Sequence, residues 1–322
     1  MTSLKRPRNK NVKALVTNQQ SAGNHPSTHP IDLPGAGSFV QPLIISNLTM
    51  KTLFSVLLLA CGALSATAQT ASEPQFTISC QEGGNWSWGN GENQRFCETR
   101  DLTMAAPSGQ PLSIEGGANG GITVHGWSGS NVRIRAKVTS WANSEAEAQA
   151  RVKSVSISTA NNTLRATSSD NNERYSVSYE VFVPRQTALA LNTTNGGISL
   201  DNLQSDVKFH ATNGGVSLKS LGGQVTGETV NGGLNITLTG SKWEGKGLDV
   251  ATTNGGVHWR LPKDYSAELF TSTNMGNMRA NMPVTKSGFL RKELATSLGK
   301  GGAPVKAVTT NGGVTIEQVD RN

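Results

Sequence analysis

Acid–base chemistry in this chain would have to come from few side chains. Asp201, Asp206, Glu228, Asp249 and Glu268 are spread through its second half, and three of its five histidines, His125, His210 and His258, lie beyond residue 68. A polysaccharide-cleaving site needs paired carboxylates, or Asp clustered with Arg or Lys on one face. These acids recur at no common position in successive repeats, so no pair is indicated. A zinc site needs several convergent ligands, and neither H-x-H nor HExxH is present. His210 and His258 fall on the polar phase of strands and read as solvated. There is no G-x-S-x-G elbow. Gly-rich turns hold calcium when they carry G-G-x-G-x-D, whereas the turns here offer Asn, Gly and Thr. The expectation is a chain without catalytic, metal or cofactor-binding residues and with no cofactor.

The tryptophans are a better binding signal. All six, Trp86, Trp88, Trp127, Trp141, Trp243 and Trp259, lie beyond residue 68. Trp86 and Trp88 flank Ser87, so on a strand both rings share one face. Exposed, they would form a ligand platform for sugars or partner surfaces; buried, they would plug the end of the fold. They lie between Cys80 and Cys97, and two cysteines in an exported domain are more often a disulfide than a metal site. The bridge would staple a Gly- and Asn-rich segment with little to bury.

The elements that position these residues are set by a repeat. Asn-Gly-Gly occurs six times, starting at Asn119, Asn195, Asn213, Asn231, Asn254 and Asn311. The spacings from Asn195 are 18, 18 and 23 residues, and a degraded copy, Asn274-Met275-Gly276, follows 20 residues later. After each copy apolar and polar residues alternate, as in Ile198-Ser199-Leu200 and Val216-Ser217-Leu218, which is the period of a strand with one buried face. Asn and Gly tolerate positive φ, so these corners read as sharp turns. A second strand, such as Val207–Ala211, and a second corner, such as Asp201–Ser205, complete each unit. Asn-Gly also marks hairpins, but a corner returning in the same apolar phase favours coils stacked in register. Asn195, Asn213 and Asn231 would then sit about 4.8 Å apart and bond as an amide ladder. The fold expected is all-β, a right-handed β-solenoid of the parallel β-helix type with 18–23-residue coils.

Around the repeats, residues 69–110 read as an irregular N-terminal cap held by the disulfide. A helix is expected near 145–155, with Ser144 and Glu147 as a capping box and Glu147 and Arg151 an i,i+4 pair. Residues 284–303 read as an exposed loop, and the last repeat, Val305 to Val319, as the coil that closes the solenoid over 111–322. Toward the N-terminus, Lys51, the apolar run to Leu64 and Ala66-Thr67-Ala68 make residues 50–68 a signal peptide. Residues 1–49, polar and aperiodic, are expected to be a disordered tail or to precede a true start at Met50. Cys61 offers an alternative lipid-anchor site. Residues 1–68 contribute six basic side chains and one acidic one to the chain's 29 and 22, so the rest is nearly balanced at +2. No basic stripe with interleaved aromatics remains, which speaks against nucleic acid, and no transmembrane span is expected after the signal.

Tyr179-Glu180-Val181-Phe182-Val183-Pro184, Leu189 to Gly197 with its serial Asn-Gly repeats, Val257-His258-Trp259-Arg260-Leu261-Pro262 and Ala267-Glu268-Leu269-Phe270-Thr271 resemble the bacterial putative-adhesin domains of unknown function. The likeness covers Gly116 to Val319 and rests on structural corners. It implies an exported β-solenoid of the cell envelope and carries over no catalytic residues. The expected role is an adhesin-like binding or structural module in the periplasm, on the outer membrane surface or secreted, with envelope glycans or surface proteins as partners. The alternative is a polysaccharide-active lyase or hydrolase on the same scaffold, which a groove lined by carboxylates with Arg or Lys would favour.

Overall fold

Among the described residues, alternation of apolar and polar residues builds two ten-stranded sheets whose apolar faces meet in one core. The structure is a computed structural model that describes residues 73–80, 94–169, 174–282 and 292–320. Strands that follow an Asn-Gly-Gly corner form sheet I: Ile122–Trp127, Ile198–Asp201, Val216–Lys219, Leu234–Thr237, Val257–Pro262 and Val314–Val319, all parallel and in register. Strands that lead into the corners form sheet II: Leu112–Glu115, Leu189–Thr193, Val207–Ala211, Gln224–Asn231, Gly247–Asn254 and Pro304–Asn311, again parallel. Inward residues such as Val207, Phe209, Val250, Leu218, Ile236 and Trp259 are buried between them. The solenoid reading therefore holds over the hairpin meander.

The six corner asparagines form one continuous ladder. From Asn195 onward each Nδ2 donates to the Oδ1 of the asparagine one coil back: Asn195 to Asn119 at 3.2 Å, Asn213 to Asn195 at 2.8 Å, Asn231 to Asn213 at 2.7 Å, Asn254 to Asn231 at 2.8 Å and Asn311 to Asn254 at 2.8 Å. The reason for the glycines differs from the one expected. None of the corner residues has positive φ; that conformation occurs instead at the opposite corners, at Asn202, Ser220 and Gly223. The first glycine of each corner is required because a Cβ there would overlap the backbone carbonyl of the neighbouring coil. Gly214 meets Gly196, Gly232 meets Gly214, Gly255 meets Gly232 and Gly312 meets Gly255. A buried threonine two residues before the asparagine secures those carbonyls: Thr193, Thr229, Thr252 and Thr309 donate to Gly120, Gly214, Gly232 and Gly255.

Spatial order departs from chain order at both ends. The coil 112–127 is sandwiched between the coil 189–201 and the later strands Thr163–Ser168 and Tyr175–Pro184. At the other end, the last repeat does not close the stack. Pro304–Asn311 and Val314–Val319 slot between the coil 247–262 and the strands Ala267–Thr273 and Met278–Ala280. The region expected as a loop contains the strand Lys292–Leu298, antiparallel to Ala267–Thr273, which forms the edge of sheet II. The degraded corner also shifts by one residue. Met275 N–H bonds the carbonyl of Thr310, as Asn195, Asn213 and Asn231 bond those of Ala118, Thr194 and Thr212, so the copy is Met275-Gly276-Asn277. Met275, with no amide to extend the ladder, stands 77% exposed at its end.

The N-terminal region is more regular than expected. Gln94–Ala105 is a twelve-residue strand, antiparallel to Asn131–Ala142, at the edge of sheet I. The helix Glu145–Ser154 packs on both, with Ala148 and Val152 buried. The Ser144 hydroxyl accepts from Glu147 N–H, Arg151 pairs with Glu147, and Arg100 donates to the carbonyls of Val152 and Val155 at its C-terminal end, where a cation is favoured. Cys80 and Cys97 are joined, with their Cα atoms 5.7 Å apart. Residues 1–49, the signal region 50–68, Cys61, Trp86 and Trp88 lie outside the described residues. Among the described residues, no helix is long and apolar enough to cross a membrane.

Candidate functional site

Pleating sends alternate side chains outward, and parallel register stacks equivalent ones into rows about 4.8 Å apart. Function must be sought in those outward rows. On sheet II one row reads Asn192, His210, Glu228, Ala251, Val308, Ser272. The small side chains Ala251 and Val308 interrupt it and leave a trough of about 140 Å³, lined further by Val230, Thr253, Thr310 and Asn274. Glu228 stands at one end, its carboxylate 3.3 Å from His210 Nδ1. Ser272 stands at the other, 2% exposed. The next row holds Lys208, Thr226, Asp249 and Lys306, where Lys306 Nζ lies 3.1 Å from Asp249.

His210 and His258 are solvent-exposed, as their strand phase predicts, but the histidines do not stand alone. Each lies beside a carboxylate on a neighbouring strand: His210 with Glu228, His258 with Glu317 at 3.7 Å, and His125 with Glu180 at 3.5 Å and Asp201 at 4.0 Å. In-register stacking brings these pairs together across 18 to 76 positions of sequence, so periodicity alone could not reveal them.

The Glu180 pair is part of a clasp. The Glu180 side chain is fully buried because residues 73–80 lie over it. One carboxylate oxygen accepts from Thr77 N–H at 2.7 Å and Ile78 N–H at 2.9 Å, and the other from the Thr77 hydroxyl at 3.0 Å. Phe76 sets its edge on Phe182, which stacks on His125, and Arg135 lies 4.6 Å over Phe76. Arg133 pairs with Glu73, and the disulfide anchors the segment's end. Arg135 also donates to Asp101 through Nε and Nη2, each at 2.7 Å, and that hydrogen bonding holds the Asp101 carboxyl below its ordinary range. Glu180 thus ties down the N-terminal segment and is closed to substrate.

Other singled-out residues are dispersed. Trp259 is buried and donates to Thr271, and Trp243, also buried, donates to the Gly223 carbonyl. Trp127 donates to the Asn131 carbonyl. Burial first, then the nearby Tyr175 and Glu115, push the Tyr179 phenol above its ordinary value. Among the described residues, no three His, Cys, Asp or Glu side chains gather as a metal site would require.

The family model described as Toastrack DUF4097 matches residues 62–317. No curated protein matches the chain. Among solved structures, one named a putative cell adhesion protein, from Clostridium sporogenes, is 12% identical with a TM-score of 0.38, covering 69% of this chain and 100% of its own. A putative adhesin from Bacteroides fragilis is 11% identical with a TM-score of 0.35, over 70% and 97%. A putative lipid binding protein from Parabacteroides distasonis is 7% identical with a TM-score of 0.32, over 71% and 98%.

Proposed function

Because the chain belongs to the Toastrack DUF4097 family, we propose that it is an exported, non-enzymatic binding and structural module of the cell envelope, adhesin-like in action. The observation that carries this reading is the nature of the outer faces. They are broad, polar and laid out in register, and their titratable side chains sit in pairs on neighbouring strands. Glu228 and Asp249, on adjacent strands of sheet II, are each more than half exposed and each has its own partner, His210 and Lys306. A general acid or base is instead tuned by desolvation or by a like-charged neighbour. Such faces suit many weak polar contacts with an extended partner, an envelope glycan or a surface protein. The disulfide fits an oxidising compartment, whether periplasm, outer surface or exterior.

The test is retention of the purified protein on isolated envelope fractions, with hydrolysis of the same envelope polysaccharides followed in parallel. Saturable retention without product release is expected. Turnover that survives repurification would overturn the reading in favour of a polysaccharide-active enzyme.

A further inference from the structure

We propose that the sheet II trough between Glu228 and Ser272 is a binding subsite for one neutral pyranose ring of a glycan, an inference that rests on the reading of the protein as a binding module. Three features converge. The first is an unused hydrogen-bonding group. Ser272 is 2% exposed, lines the trough, and makes no side-chain hydrogen bond within the described residues. The buried, unpaired polar atoms sealed from solvent are Tyr179 Oη and Ser205 Oγ. Ser272 Oγ is not one of them, and the hollow that Ser272 lines is the trough. Buried hydroxyls normally have partners, and one facing a hollow is a group waiting for a ligand or water.

The second feature is the shape. The row Glu228, Ala251, Val308, Ser272 crosses three strand spacings, about 14 Å. Ala251 and Val308, with Val230 beside them, give an apolar floor. The hollow of about 140 Å³ is below the ~300–1,000 Å³ of enclosed small-molecule pockets. It suits a single ring lying flat against the sheet.

The third feature is the rim. Thr253, Thr310 and Asn274 supply neutral donors and acceptors, and the Glu228 carboxylate lies 3.3 Å from His210 Nδ1. Lysines do not enter: Lys306 is engaged with Asp249, and Lys292 Nζ with the Gly276 carbonyl and Asn277. Among the described residues that line the trough, a phosphate or uronate would find no lysine or arginine, whereas a neutral ring could place its C–H face on Ala251 and Val308 and its hydroxyls among Ser272, Thr253, Thr310 and Asn274.

The experiment is NMR titration of the exported protein with two probes, chitotriose and maltotriose. Saturable shifts centred on the Thr253 and Thr310 methyl groups are expected with at least one probe. Ser272→Ala should weaken binding about fivefold, the worth of one net hydrogen bond. Ala251→Phe, which fills the trough from an outward position, should abolish it. Should either variant unfold, the isosteric pair Thr253→Val and Thr310→Val on the exposed rim reads the same site. Absence of saturable shifts with both probes, or binding unchanged by filling the trough or by the threonine pair, overturns the proposal. Envelope retention separates the two levels. Retention by wild type and Ala251→Phe alike sinks the trough and leaves the module reading intact, whereas a wild type that binds soluble sugar but not envelope sinks the module reading alone.

Discussion

Single residues in this protein act through the coil above or below them. The six Asn-Gly-Gly copies announced a corner, but the reason for the first glycine lay in the neighbouring backbone and not in its own φ. That distinction is measurable. Gly214→Ala forces a Cβ into the Gly196 carbonyl and should cost several kcal/mol, at or above the ~1–3 kcal/mol of ordinary overpacking. Gly215→Ala places its Cβ 3.7 Å from Gly233 O at a φ that alanine tolerates, and should be neutral or stabilising by up to about 1 kcal/mol through the unfolded chain. Urea unfolding of the two variants decides; equal destabilisation would return the explanation to turn geometry. Asp101 gives a pH-dependent case. Its folded pKa is lowered from 3.8, mainly by Arg135, so its stabilisation is present above that value and is lost as pH falls through the lower folded value. Asp101→Asn should therefore cost under about 1 kcal/mol near neutrality, discounted because the pair is exposed, and the difference from wild type should vanish in strong acid. A gap that widens on acidification would contradict the assignment.

At the scale of elements, the signals of local origin were readable. The capping box at Ser144 and Glu147 marked the helix, and alternation marked the strands of the central coils. The clasp at Glu180 was not readable, because its partners Thr77 and Ile78 lie about a hundred positions away and carry no motif. Glu180→Ala would leave two backbone N–H groups unpaired under the segment 73–80. Limited proteolysis should then cut within 73–79 much faster than in wild type, while the disulfide keeps the released end attached at Cys97. Cleavage rates that match wild type would mean that the aromatic contacts and the Glu73–Arg133 pair hold the segment alone. The trough was equally invisible in the sequence, since the row Glu228, Ala251, Val308, Ser272 joins four strands whose order in the sheet is not their order in the chain.

For the whole molecule, that difference of order has a mechanical consequence. In a solenoid stacked in chain order, removing the final repeat takes off an end unit at modest cost. Here residues 304–319 fill a slot between two earlier coils and pair on both sides in both sheets. Deleting residues 304–322 should separate Ala267–Thr273 and Met278–Ala280 from the stack and abolish cooperative unfolding of the C-terminal half. Retention of a two-state transition with only a small midpoint shift would refute the slot topology. One trace of it was present in the chain: the six intact corners are contiguous in the ladder, and the degraded one, with Met275 in the asparagine position, ends it. Taken alone, the sequence determined the class of fold, the coil length, the helix, the ladder-forming asparagines and the cysteine pair, because each follows from local conformation and period. Only the tertiary structure decided which coils are neighbours, and with that the histidine–carboxylate pairs, the Glu180 clasp and the Ser272 trough. Those features depend on strands about 4.8 Å apart in space being chosen from many with nearly identical pairing edges, and that choice is made by the packing of the two sheets together.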